Sequence, residues 1–114
     1  MRKSGPGGAE RRADARSRVN YRTRVTLVRE GYLEIAGTIS NLSAGGCYVV
    51  SVSEVGRDDL VKLRLESPEH GELTVWGHVT FRAVGLGFGV QFTAFAHGSR
   101  DALAAILAGE PGRT

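Results

Sequence analysis

The chain has 114 residues, enough for one domain that buries roughly two thirds of its unfolded surface without disulfide or metal staples. Its 16 glycines favour many turns over long helices, and the single cysteine, Cys47, excludes an internal disulfide and a cysteine-rich zinc site. No apolar run approaches the roughly 18 residues that cross a bilayer, and MRKSGPGGAE lacks the apolar stretch of a signal peptide. The expectation is a cytoplasmic protein without membrane insertion.

The net charge of +3 is unevenly spread. Residues 1–29 hold nine Lys or Arg against Glu10 and Asp14, whereas from Glu30 onward ten acids face six bases. A basic N-terminal segment on a slightly acidic body points to an anionic partner at that end, or to a solvated arm with none.

Residues 1–9 read as a flexible lead-in, 10–108 as the folded domain and 109–114 as a short tail. Arg11, Arg12 and Arg16 cluster just before the first predicted strand, Val19 to Leu27, where odd positions are apolar and Arg22 and Arg24 fall between them. Leu33, Ile35, Gly37 and Ile39 repeat that alternation in a second strand ending near Ser40. Asn41-Leu42-Ser43-Ala44-Gly45-Gly46 turns the chain into a short third strand, Cys47 to Val50.

Val61, Leu63 and Leu65 alternate with Lys62 and Arg64 in a fourth strand, and Ser67 to Gly71 has turn composition. Leu73, Val75, Gly77, Val79 and Phe81 share one parity in a long fifth strand. Gly85-Leu86-Gly87 returns the chain into a sixth, Phe88 to Phe92. The period then becomes helical: Ser99 is the expected N-cap, Leu103, Ile106 and Leu107 form the apolar face, and Gly109 with Pro111 ends the helix. Six short strands and one terminal helix predict an all-β fold, a six-stranded antiparallel barrel whose closure hides its edges. The helix either plugs one end or packs alongside.

Catalytic chemistry finds no support. His70, His78 and His97 have no ligand-like spacing, so no metal site is expected, and no nucleophile, base and orienting acid can be named together. Gly85 to Gly89 lacks the spacing and the following helix of a dinucleotide fingerprint and reads as a tightly packed hairpin. Trp76 has the opposite parity to the core set, as a partner contact or as cover for the sheet.

Arg12 and Arg16 carry guanidinium forks, which bind phosphate oxygens and can also bond guanine O6 and N7 or stack on a base. Asn41 supplies one acceptor and two donors, Ser43 a hydroxyl, and the glycines allow close approach to the backbone. Each signal alone fits a basic linker or ordinary turn chemistry. Together and in this order, Arg12-Ala13-Asp14-Ala15-Arg16 and Asn41-Leu42-Ser43-Ala44-Gly45-Gly46 resemble the RxxxR and [D/N]xSxxG motifs of the PilZ family, with GFGVQF at Gly87 to Phe92 as a further likeness.

The resemblance implies a non-enzymatic bacterial receptor for cyclic di-GMP, without a cofactor. Arg12 and Arg16 would contact phosphates and guanine edges with Arg11 in support, Asn41 and Ser43 would meet a base or phosphate, and Gly46 would keep the surface open. The arginine arm would fold over the ligand, which could be a stacked dimer, and so change the surface shown to a protein effector. The alternative is a ligand-independent interaction module of the same fold, serving motility or secretion machinery. A general nucleic-acid binder is disfavoured, because such barrels use aromatic platforms along basic grooves, and here the eight aromatics are scattered.

Overall fold

A computed structural model describes residues 17–28 and 33–109. Arg11, Arg12 and Arg16, together with the expected lead-in and the expected tail beyond Gly109, lie outside the described residues. The elements are β1 (Ser17–Leu27), β2 (Glu34–Leu42), β3 (Gly46–Val50), β4 (Leu60–Ser67), β5 (Gly71–Ala83), β6 (Gly87–Phe95) and helix α1 (Ser99–Leu107). The strands close in the order β1-β2-β3-β6-β5-β4, all neighbours antiparallel. The predicted six-stranded barrel with a C-terminal helix is the observed architecture.

Alternation does the folding. The interior is filled by Val25, Leu27, Ile39, Leu42, Val49, Val61, Leu63, Leu65, Leu73, Val75, Val79 and Phe88, each almost wholly buried. Removing such apolar surface from water is the main drive for closure, at about 25 cal/mol for each Å². Cys47 is buried in the same cluster, and burial pushes its thiol pKa far up, so it packs as a small hydrophobe.

The two ends of β5 are closed differently. At the Thr74 end α1 sends Leu103 and Ile106 into the core cluster. At the Arg82 end the β3–β4 connection buries Val55, whose carbonyl accepts from Arg82 Nη1 at 3.0 Å. That connection is tightened by Asp59, whose carboxylate accepts from the Gly56 N–H at 2.7 Å.

The start of the helix differs from the sequence expectation. Gly98, with φ of 82°, occupies the N-cap, and Ser99 is the first helical residue. Its buried hydroxyl accepts instead from the Thr74 N–H at 2.9 Å, joining helix to barrel. Ser99→Ala leaves that strand N–H without its partner and is expected to lower stability by about 1 kcal/mol, measured by urea unfolding. Gly109, with φ of 75°, ends the helix as expected.

Candidate functional site

The Asn-Ser-Gly segment forms the β2–β3 turn. Ser43 N–H and Ser43 Oγ both donate to the Gly46 carbonyl, at 2.9 and 3.2 Å. The Gly45 carbonyl accepts from Phe92 N–H at 2.8 Å, which ties the tip of the turn to β6. Ser43 is buried and its hydroxyl serves the turn itself. Gly46 is enclosed rather than open: a Cβ there would overlap the Val90 carbonyl oxygen. The exposed glycine of the pair is Gly45, around which a Cβ would meet nothing within 4 Å.

Asn41 is placed differently. Leu42 pairs with Cys47 and Ile39 with Val49, all four facing inward, and the register slips between Ile39 and Asn41. The extra residue turns Asn41 outward, where it is half-buried, paired with Arg18 on β1 and Tyr48 on β3. Among the motif residues described, Asn41 alone offers an outward polar side chain, while Ser43 and Gly46 set the backbone that carries it.

The same outward row continues across the sheet. Tyr48 pairs with Gly89 on β6, and Gly89 pairs with Phe81 on β5. The sequence pattern placed Phe81 with the core-facing set, but β5 slips register between Val79 and Phe81. That slip moves Phe81 outside, leaving it 53% exposed. Its ring lies near-parallel to Tyr48, centroids 5.9 Å apart and planes 24° apart. Gly87 and Gly89 lie beneath the pair: a Cβ at 89 would overlap the Phe81 ring, and one at 87 would overlap the Val49 carbonyl oxygen and crowd the Tyr48 ring. The GLGFG stretch is thus a hairpin with close packing, as its composition indicated.

Two members of this row escaped the sequence reading. Arg18 is exposed and lies opposite Asn41 because β1 starts at Ser17, two residues earlier than alternation suggested. Counting the hairpin register back from Asn41 is the signal that could have found it. For Phe81 no such signal exists, since a bulge leaves no mark in residue spacing.

The rest of the described surface offers less chemistry. A groove of about 530 Å³ is lined by Thr26, Val28, Leu60, Lys62, Trp76 and Thr93 among others. There Lys62 Nζ sits 5.9 Å from the Trp76 ring centre, so this aromatic is engaged by its neighbour. Among the described residues no group of His, Cys, Asp and Glu could hold a metal, and no helix is long and apolar enough to cross a membrane.

Comparison with solved structures finds the same barrel at low identity. The Bacillus subtilis inhibitor of motility MotI/DgrA aligns with a TM-score of 0.67 and 19% identity over 82% of this chain and 47% of that one. The PilZ domain of CeSA from a cellulose-synthesising bacterium gives 0.62 and 18% over 82% and 95%. The Borreliella burgdorferi PlzA protein, solved in complex with c-di-GMP, gives 0.51 and 16% over 73% and 31%. The chain therefore spans about half of MotI/DgrA, a third of PlzA and nearly all of the isolated CeSA domain. No curated protein matches it by sequence. At such identities the neighbours establish the fold, and the family follows from the sequence itself: the PilZ domain profile matches residues 10–109, nearly the whole chain, and the chain belongs to the PilZ domain family.

Proposed function

We propose that this domain is a non-enzymatic receptor for cyclic di-GMP that acts as an adaptor toward a protein partner. The observation that carries the reading is the folded β2–β3 turn: Ser43 and Gly46 lock its backbone and Asn41 stands outward beside Arg18. A preset polar floor of this kind costs little reordering when a ligand arrives. PlzA, solved with c-di-GMP, supports the same ligand class by family.

In this reading Arg11, Arg12 and Arg16 close over the two phosphates and the guanine edges from the N-terminal side. Asn41 bonds a base or phosphate from the barrel side. Ser43 and Gly46 contribute through the turn they shape. Gathering the arginines over the barrel changes the charge and shape of that face, and this is the event a partner reads. Asn41 carries one oxygen where a carboxylate would carry two, so it satisfies fewer of the guanine N–H donors.

The test is a calorimetric titration with cyclic di-GMP, cyclic di-AMP, GMP and a short single-stranded oligonucleotide, each at two salt concentrations. Selective, saturable binding of cyclic di-GMP is expected, and its stoichiometry separates one bound molecule from a stacked pair. Broad binding that collapses with salt would instead mark a general nucleic-acid binder.

A further inference from the structure

We propose that the groove across β1, β4, β5 and β6 docks an acidic amphipathic helix of a protein partner, its apolar side chains on Val28, Leu60 and Trp76 and its carboxylates toward Lys62. The proposal rests on the adaptor part of the proposed function and is independent of its ligand.

The groove is built by strand register. Thr26 pairs with Lys62, Lys62 with Trp76 and Trp76 with Ala94, so one outward row crosses four strands. Val28, whose N–H donates to the Leu60 carbonyl at 2.8 Å, brings a second row beside it. β6 slips register opposite Trp76 and Gly77, and the extra residue leaves Thr93 and Ala94 both exposed. Thr93 Oγ1 donates to the Trp76 carbonyl at 3.3 Å. Val28, Leu60 and Trp76 stay 39%, 56% and 36% exposed, three large apolar side chains that the barrel itself leaves uncovered. In the ring of strands β5 stands opposite β2 and β4 opposite β3, so this wall faces away from the Asn41–Gly46 turn.

Charge and backbone select the occupant. Arg24, Lys62 and Arg64 sit at outer positions of β1 and β4, and Glu34 accepts from Arg64 at 3.0 Å and lies 3.6 Å from Arg24. Among the described residues Lys62 is left with the Trp76 ring and no carboxylate. An acid on the partner completes that pair. A two-fold contact through the groove would set these cations against their own copies, which disfavours a second copy of the chain. Thr26, Lys62 and Trp76 are each paired on both sides, so an extended peptide finds no ladder to join here. A helix satisfies its own backbone and needs only side-chain contacts.

The test is selection of a tryptophan-free random peptide library on the domain, followed by affinity measurements on the enriched peptides. Enriched sequences are expected to carry Leu, Ile or Phe at helical spacing with Asp or Glu between them. They are also expected to change the emission of Trp76, the single tryptophan of the chain, in the wild-type protein. Affinity is expected to fall about tenfold or more in Leu60→Glu and in Lys62→Glu, at unfolding midpoints near wild type. A neutral or basic consensus, peptides that bind both variants as tightly as wild type, or no enrichment overturns the docking site. So does a wild-type dimer that Leu60→Glu dissociates, which makes a second copy the occupant. Cyclic di-GMP titrated into Leu60→Glu keeps the two readings apart, with wild-type affinity expected. Failure of cyclic di-GMP to bind either protein overturns the receptor and leaves the groove to the peptides.

Discussion

Gly46→Ala is expected to destabilise the domain by about 3 kcal/mol, the upper end of what overpacking costs. The added methyl overlaps the Val90 carbonyl oxygen, and that atom belongs to β6 backbone paired with β3. A side chain could rotate away; this carbonyl can move only by distorting the β3–β6 ladder. The same glycine carbonyl accepts both Ser43 bonds, so the strain reaches the turn directly. Thermal and urea unfolding should show the loss without ligand. A variant as stable as wild type would mean that Gly46 answers to the ligand and not to β6.

Arg12→Ala is expected to reduce cyclic di-GMP affinity by about ten- to a hundredfold or somewhat more, the worth of a bidentate guanidinium contact. Its unfolding midpoint is measured alongside, since an arginine that acts on the ligand alone leaves that midpoint near the wild-type value. The loss should be larger in low salt than in high salt, since part of it is charge on phosphate. Arg12→Lys separates the two parts: it restores charge but cannot form the planar fork. Calorimetry at two salt concentrations reads both. Unchanged affinity in Arg12→Ala would remove this residue from the site.

The contrast between these two variants reflects how much of the site was legible in the sequence. Strand parity from Val61 to Leu65 and from Leu73 to Val79 gave the barrel interior directly, because a half-buried strand writes its burial into every second residue. The Asn41–Gly46 segment could be recognised, but not its internal division of labour. Ser and Asn both read as polar turn residues, and only coordinates show Ser43 turned into the turn and Asn41 turned out of it.

Phe81 was misplaced for a definite reason. Parity holds only while the ladder is regular, and one extra residue reverses every side chain beyond it. The bulge before Asn41 caused no such error, since a polar residue was already expected to face water. Ser99 shows the same limit at a helix end: the serine is present where an N-cap is wanted, but Gly98 takes that place and the hydroxyl bonds a strand.

Closure of β1 onto β4 also bears on how a partner can bind. Each described strand has a neighbour on both sides over part of its length, so no described strand is an open edge from end to end. A partner strand finds only short one-sided stretches, such as Ser17 to Tyr21 on the β4 side of β1, in place of the full-length edge that peptides extend in open sheets. Side chains are then the larger part of what a partner reads, and the message passed on by a bound ligand is one of surface chemistry: which charges and rings the face shows, and which it has covered.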